Sequence, residues 1–230
     1  MHSFTEENYL KAIYALTQKS DGNQALFQEE PIPVNTNAIA ERVSTKAASV
    51  TDMLKKLAEK QLIHYQKYQG VTLTEMGRKT ALNIIRRHRL WEVFLVDKLG
   101  FGWHEVHHLA EELEHIHSDE LIEKLAAFLG NPQVDPHGDP IPNHAGQIEH
   151  LPSDRLSEAA LDEVVVIKGV LEHSSAFLQH LEKIGLTLNA EIRVQEINEF
   201  DQSLLVCIHQ NQSTFISHEV ARNILVSAKK

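Results

Sequence analysis

The 230-residue chain has very little cysteine and no long apolar segment. Its single cysteine, Cys207, cannot form an internal disulfide bond, which fits a reducing compartment such as the cytoplasm. No apolar run approaches the roughly 18 residues that a membrane-spanning helix needs, and the N-terminus has no apolar core typical of a secretory signal. These absences predict a cytoplasmic protein with no membrane partner, and the length allows two or three small domains.

Positive charge is also scarce, since the net charge at neutral pH is −10. Taken alone, this average argues against a nucleic-acid partner, but the charges are unevenly distributed. Residues 36–90 contain 11 Lys and Arg against four acids, whereas residues 91–163 contain 16 acids against three bases. The basic segment therefore predicts a polyanion partner, and the acidic segment predicts bound cations.

Histidine is abundant in the acidic segment, where five of the chain's 15 histidines fall within His104–His117. If residues 103–118 form a helix with 100° per residue, one face carries two imidazoles and two carboxylates: His107, Glu111, Glu114 and His115. His88 and Glu92, at positions i and i+4 of the preceding helical segment, can complete the site from a neighbouring helix. Imidazole and carboxylate without thiolate favour Mn²⁺ or Fe²⁺. For any one of these histidines, a solvated surface position is the simpler interpretation.

Residues 36–62 predict a short helix, a break at Ser44-Thr45 and a second helix from about Lys46 to Lys60. This is the layout of a helix-turn-helix, although an ordinary pair of helices is the alternative. The strand-like residues 62–73 favour the DNA-binding interpretation because they predict a hairpin, or wing, directly after the second helix. We expect phosphate and base contacts from the second helix and the wing: Lys46, Ser49, Thr51, Asp52, Lys55, Lys56 and Lys67.

The rest of the chain divides into helices, a linker and strands. Thr74 is the expected N-cap of a helix over residues 75–99, and Ser118 that of a further helix ending near Gly130. Residues 131–152 contain five prolines and two glycines and predict an extended linker. We interpret its His137, Asp139 and His144 as loop polarity. From residue 164 onward, short β-branched runs predict a small barrel.

Five segments of the chain resemble the diphtheria toxin repressor family of manganese- and iron-dependent regulators. They are SVTDMLKKLAEKQLI at 49–63, YQGVTLTEMG at 68–77, RRHRLWEVFL at 86–95, the ExxEH at 111–115 and GNPQVDPHGDPIP at 130–142. In addition, residues 177–194 are similar to the SH3-like domain of ferrous-iron transport accessory proteins. The resemblance implies a mainly α fold with four parts: a winged helix-turn-helix at 1–75, a helical metal-binding and dimerisation domain at 76–130, a Pro-rich linker at 131–155 and an SH3-like β-barrel at 156–230.

The same resemblance implies a set of metal ligands. His88, Glu92, His107, Glu111, Glu114 and His115 match the family's metal-binding positions, and Glu111 stands where manganese sensors are expected to have Glu and iron sensors Cys. The first-helix ligand matches Asn8, which has no charge, and Lys11 replaces an accompanying acid. The SH3-like domain donates a ligand in some members, and Glu172 or His173 lies in that region.

The function implied is a homodimeric repressor of metal-homeostasis genes that binds double-stranded operator DNA when it holds Mn²⁺, favoured over Fe²⁺. One alternative is a hydrolase that uses the His/Glu cluster as a catalytic centre, although the chain has no HExxH motif. Another alternative is a metal-buffering protein. DNA binding that depends on metal distinguishes the three.

Overall fold

The computed structural model describes residues 2–20, 33–66, 69–149, 152–209 and 212–229. The helices are α1 Phe4–Ser20, α2 Thr36–Arg42, α3 Ala47–Glu59, α4 Glu75–Leu99, α5 Val106–Leu113, α6 Asp119–Phe128, α7 Ser175–Lys183 and α8 His218–Ala221. The strands are β1 Ile63–Gln66, β2 Gly70–Leu73, β3 Asp154–Arg155, β4 Val164–Val170, β5 Glu191–Ile197, β6 Leu204–Ile208, β7 Gln212–Ile216 and β8 Ile224–Ala228. None of the described helices combines the length and apolar character needed to cross a membrane.

Two compact units make up the chain, and the division falls inside α4. The first comprises Met1–Arg87 and Pro142–Gln147, and the second comprises His88–Ile141 and Ile148–Lys230. The four-part domain division inferred from the sequence stays a prediction.

The first unit contains the expected helix-turn-helix and hairpin. The Asn35 side chain caps α2 by accepting a hydrogen bond from the Ala38 N–H at 2.8 Å, and Ser44 makes the turn with a positive φ of 52°. Helix α3 buries Val50, Leu54 and Leu57. Strands β1 and β2 then pair antiparallel directly after it. The predicted turn and wing are therefore present within one or two residues of their expected positions.

In the second unit, the helices pack around an apolar cluster of α4 and α6. Leu90 and Val93 on α4 pack in one buried cluster with Ile122 and Leu125 on α6. The Ser118 side chain caps α6 as expected, since it accepts a hydrogen bond from the Leu121 N–H at 3.3 Å. Phe128 at the end of α6 remains 65% exposed, which leaves an apolar surface on this helical layer.

The expectation that residues 103–118 form a single helix is wrong, because α5 covers only Val106–Leu113. Trp103 lies before the helix and is buried in the core of the C-terminal sheet. Glu114 is the C-cap of α5, and His115 follows in a turn.

The C-terminal residues form a small sheet domain as expected, but the predicted barrel is not closed. The C-terminal strands form one six-stranded antiparallel sheet in the order β3-β8-β4-β5-β6-β7. Among the described residues no ladder joins β3 to β7, so the sheet stays open. Strand β3 has only two residues, both already paired with β8, which is too short to close the ladder.

Candidate metal centre and nucleic-acid interface

Three side chains from α4 and α5 form a helical cluster: His88, Glu92 and His107. His88 Nε2 lies 3.1 Å from Glu92 Oε1 and 3.2 Å from His107 Nδ1, and His107 Nδ1 lies 3.4 Å from the same Glu92 oxygen. The i, i+4 spacing of His88 and Glu92 on α4 places both on one face, as the sequence indicates. These three ligand atoms all lie within 4.8 Å of one another, close enough to hold one metal ion.

Glu114 orients His88 in this cluster. Its Oε2 lies 2.6 Å from His88 Nδ1, and the Glu114 residue is fully buried. Because a carboxylate only accepts hydrogen bonds, Nδ1 donates to Glu114, and Nε2 is the ring nitrogen that faces Glu92 and His107. A metal-ligating histidine commonly donates its other ring N–H in this way.

The second oxygen of Glu92 faces a different group, the loop cluster formed by Glu92, Asp135 and His137. His137 Nδ1 lies 3.7 Å from Glu92 Oε2 and 3.8 Å from Asp135 Oδ1. All three residues are at most 3% exposed, and their ligand atoms lie within 4.8 Å of one another. His137 Nε2 donates to the Trp103 carbonyl at 2.9 Å, so its Nδ1 is directed at the two carboxylates.

Local hydrogen bonds hold the loop that carries Asp135 and His137. Asp135 Oδ1 accepts from the N–H groups of His137 and Asp139 at 2.8 and 3.0 Å. Gly138 has φ +89°, and a Cβ there would lie 2.1 Å from the Lys168 carbonyl oxygen, so only glycine lets the loop approach β4 this closely. The His137 carbonyl in turn accepts from the Val170 N–H at 2.9 Å.

The carboxylates and imidazoles of the two clusters shift one another's pKa values. Burial alone would raise the pKa of Glu92, but His107, His137 and His88 together lower it well below its usual range. Burial and the neighbouring Asp139 and Glu92 carboxylates raise the pKa of Asp135, despite the Arg89 guanidinium 3.5 Å away. Burial opposes protonation of His137, yet the facing carboxylates raise the pKa of its imidazole. A divalent ion would replace these shared protons and be held by nitrogen and oxygen donors.

The sequence did not predict the loop cluster. Asp135 and His137 lie in the Pro-rich segment, where the irregular spacing gives no common face. The interpretation of His137 as loop polarity is wrong, because its side chain is buried with those of Glu92 and Asp135. The sequence signal for this cluster is the run Asp-Pro-His-Gly at 135–138, in which a glycine follows two potential ligands.

The remaining predicted ligands lie outside both clusters. Glu111 Oε1 is 3.6 Å from His107 Nε2, at the exposed edge of the helical cluster. Glu172 is exposed and accepts from the Ser174 N–H at 2.8 Å. His173, rather than Glu172, approaches the loop cluster, since its ring stacks on that of His137 with centroids 5.1 Å apart. Asn8 lies exposed on α1 in the first unit, and His115 is half-buried in the turn after α5.

Helix α3 presents most of the predicted DNA-binding residues on its surface. Lys46, Ser49, Asp52 and Lys55 are exposed, and Thr51 is partly exposed. The Lys55 ammonium lies 3.3 Å from Asp52 Oδ1, and the Thr51 hydroxyl donates to the Ala47 carbonyl at 3.1 Å. Lys56 instead pairs with the buried Glu6 carboxylate at 3.0 Å. Lys67 lies outside the described residues.

Family models match nearly the whole chain. The N-terminal DNA binding domain of iron dependent repressors matches residues 1–71, their metal binding and dimerisation domain matches residues 74–143, and the FeoA domain matches residues 155–228. The order of these matches agrees with the order of the helix-turn-helix, the histidine-bearing helices and the open sheet.

Solved structures and curated proteins are similar over the same length. A manganese-dependent transcriptional repressor in complex with manganese is 34% identical with a TM-score of 0.77, covering 97% of this chain and 100% of that one. ScaR with bound Cd²⁺ is 29% identical with a TM-score of 0.72 over 97% and 99% of the two chains. The iron-dependent repressor IdeR of Mycobacterium tuberculosis is 28% identical over 96% of both. These relatives are repressors, and the hydrolase alternative finds no support among them. The chain therefore belongs to the iron-dependent repressor family of metal-dependent, DNA-binding transcriptional regulators.

Proposed function

We propose that this chain is a homodimeric repressor that binds operator DNA when it holds Mn²⁺, in preference to Fe²⁺, and controls genes of metal-ion homeostasis. The observation that carries this proposal is Glu92, a buried carboxylate whose two oxygens face two separate groups of nitrogen and oxygen donors. The helix-turn-helix in the first unit supplies the complementary DNA-binding surface. A cytoplasmic location is part of the same proposal.

His88, Glu92 and His107 would hold one ion, and Glu92, Asp135 and His137 would hold another. Both sets contain imidazole and carboxylate alone, which suit Mn²⁺ and Fe²⁺ better than soft metals. The only thiol of the chain, Cys207, lies on β6 in the C-terminal sheet and belongs to neither cluster. Glu111, where the resemblance associates Glu with manganese sensors, supports Mn²⁺ as the physiological ion. Glu114, His115, Glu172 and Asn8 remain proposed as further ligands on the resemblance alone.

Metal would act on DNA binding through α4. His88 follows directly after Arg87, whose guanidinium pairs with the buried Glu7 of α1 at 3.1 Å. Ordering His88 and Glu92 around an ion therefore orders the same continuous helix that anchors α1 in the DNA-binding unit. The free energy of metal binding at the two clusters can then favour the conformation that binds DNA.

Operator recognition would use α3 as the major-groove helix and β1–β2 as the wing. Lys46, Lys55 and the hydroxyls of Ser49 and Thr51 would contact phosphates, and Asp52 can accept from cytosine N4. The exposed apolar side chains of α6, Leu121 and Phe128, would face the second copy of the homodimer. Two copies then present two recognition helices to successive major grooves.

A gel shift with and without Mn²⁺ tests the proposal. The DNA is a duplex selected from a random pool by the manganese-loaded full chain, with a scrambled duplex as control. The expected result is a shift of the selected duplex with Mn²⁺ that a chelator reverses. Equal binding of both duplexes in both conditions contradicts a metal-activated repressor, and metal binding without any DNA shift supports the buffering alternative.

A further inference from the structure

Glu6 in the first turn of α1 is a fully buried carboxylate. It forms a reciprocal capping box with Ser3: the Ser3 N–H donates to Glu6 Oε2 at 2.9 Å, and the Glu6 N–H donates to Ser3 Oγ at 3.3 Å. This arrangement fixes the carboxylate at the start of α1. Its position is therefore set by its own helix before any other element contacts it.

Two lysines of the recognition helix region converge on this one carboxylate. Lys60, the C-cap of α3, places its ammonium 2.8 Å from both Glu6 oxygens. Lys56, one turn earlier, lies 3.0 Å from Oε1. The lysine side chains are 38% and 53% exposed, so they reach inward from the surface to a buried partner. The Glu6 carboxylate therefore holds two ammonium groups that solvent also reaches.

Lys56 shares a face of α3 with two residues proposed to meet DNA. Ser49, Asp52 and Lys56 stand at i, i+3 and i+7, which aligns them along one stripe of a helix. Lys60 continues the stripe by a further turn. Without Glu6, the flexible stems of both lysines would let their ammonium groups reach phosphates beside this stripe.

We propose that Glu6 withholds the Lys56 and Lys60 ammonium groups from DNA phosphates and thereby lowers the metal-independent, sequence-independent affinity for DNA. Non-specific binding is supplied almost entirely by phosphate neutralisation. A regulator that responds to metal needs this background to be weak, because otherwise the apo protein already occupies DNA. The inference rests on the proposed function, and it removes Lys56 from the predicted phosphate contacts.

The test measures the affinity of the metal-free full chain for a scrambled duplex across a series of NaCl concentrations, by fluorescence anisotropy with a chelator present. Glu6→Gln keeps the shape of the side chain and removes its charge. We expect tighter binding and a steeper dependence of log K on log salt, by about two units per subunit if both lysines reach phosphates. Glu59→Gln is the matched control, because it makes the same change in net charge at an exposed position of α3 and should alter the slope much less.

A second set of variants assigns the effect to the two lysines. Adding Lys56→Gln and Lys60→Gln to Glu6→Gln should return the slope to that of the unchanged protein. In the native background the same two lysine substitutions should leave the slope unchanged, since Glu6 already holds both groups. The measurement in the native background tests the proposal even if circular dichroism shows that Glu6→Gln does not fold.

The proposal is overturned if Lys56→Gln with Lys60→Gln lowers the slope in the native background by about two. It is also overturned if folded Glu6→Gln has an unchanged slope, because Glu6 then only stabilises α1 against α3. Manganese-dependent binding of the selected duplex is measured in the same series. If the unchanged protein shows no manganese-dependent binding of the selected duplex, the proposed function is rejected. The salt slopes decide the role of Glu6 independently of that result.

Discussion

Glu6 and Glu92 are both buried carboxylates, but their partners differ in kind. Glu6 is held by two lysine ammonium groups at 2.8–3.0 Å, with the His2 imidazole farther away at 3.8 Å. Glu92 instead faces three imidazoles, those of His88, His107 and His137 at 3.1–3.7 Å. Lysine keeps its proton at neutral pH, while histidine exchanges its proton readily there. The first carboxylate is therefore neutralised at neutral pH by groups that keep their protons, and the second is surrounded by groups that can release protons to solvent when a metal ion binds.

Glu6 therefore belongs to a structural cluster of charges, whereas the protons around Glu92 can be exchanged for a metal ion. Charge at Glu6 is already balanced by two cations, so an additional cation gains nothing there. At Glu92 the short distances are between atoms that can bind a metal ion. Glu114 binds one ring nitrogen of His88 and the Trp103 carbonyl binds one ring nitrogen of His137, so the other nitrogen of each ring faces Glu92. Buried acids thus have to be interpreted through the chemistry of their partners, and the following changes test this comparison.

The largest effect is expected from Glu92→Gln. The substitution keeps the volume but removes the charge and replaces one of the two oxygens by an amide NH2 group, which cannot bind a metal ion, so the two clusters can no longer share a carboxylate. Mn²⁺ affinity measured by calorimetry should fall by at least about 100-fold, and metal-dependent DNA binding should disappear. Glu182→Gln is the matched control, because Glu182 pairs with a single imidazole, His104, at 3.0 Å and should bind Mn²⁺ normally. Unchanged affinity in Glu92→Gln contradicts the assignment.

A smaller effect is expected from Asp135→Asn, which alters the loop cluster alone. Asparagine can still accept the two backbone hydrogen bonds that form the loop, but it offers no charge to an ion. The amount of bound Mn²⁺, measured by elemental analysis after gel filtration, should fall by one ion per subunit while the helical cluster keeps its ion. His137→Gln should give the same stoichiometry. Full occupancy in both variants would show that the loop cluster is structural, like the pair at Glu6.

Mn²⁺ should also stabilise the folded chain, because ions that bind only the native state shift the unfolding equilibrium. At a free Mn²⁺ concentration about 100 times Kd, the gain is about 2.7 kcal/mol. For a chain of this size, that gain raises Tm by roughly 5–10 °C in calorimetry. Glu92→Gln should show no rise, whereas Glu6→Gln should respond as the unchanged protein does. An equal Mn²⁺ response in Glu92→Gln would remove the distinction between the two carboxylates.

The smallest effect concerns the pH dependence of stability at Glu6. Burial would raise the pKa of this carboxyl, but hydrogen bonds from Lys60, Ser3 and Lys56 lower it from 4.5 to about 2. A lowered folded-state pKa contributes stability that is fully present above pH 4.5 and is lost as the pH falls from 4.5 toward 2. The contribution is about 1–2 kcal/mol, because the lysines remain partly solvated.

Urea unfolding of the unchanged protein and of Glu6→Gln measures this contribution. The difference in unfolding free energy should be constant near neutral pH and shrink in acid, while Glu59→Gln should show little difference at any pH. A difference that grows as the pH falls would contradict the ion-pair interpretation.

Local patterns in the sequence were sufficient for the helices and for part of the site. The bounds of α4 and the pairing of His88 with Glu92 follow from caps and i, i+4 spacing within one helix. Residue spacing cannot indicate which residues meet across the fold. Asp135 and His137 reach Glu92 through a loop held by Gly138 against β4, and Glu6 meets Lys60 across 54 positions. The open sheet was likewise not predictable, because the number of strands does not determine whether the edge strands pair.

Anomalous diffraction at the manganese edge, from crystals of the full chain soaked in Mn²⁺, shows directly which side chains bind the metal. We expect two peaks for each subunit, one shared by His88, Glu92 and His107 and one shared by Glu92, Asp135 and His137. We also expect no peak at Glu6, where two lysines already balance the charge. Ordered manganese bound elsewhere with none at Glu92 would contradict the central claim.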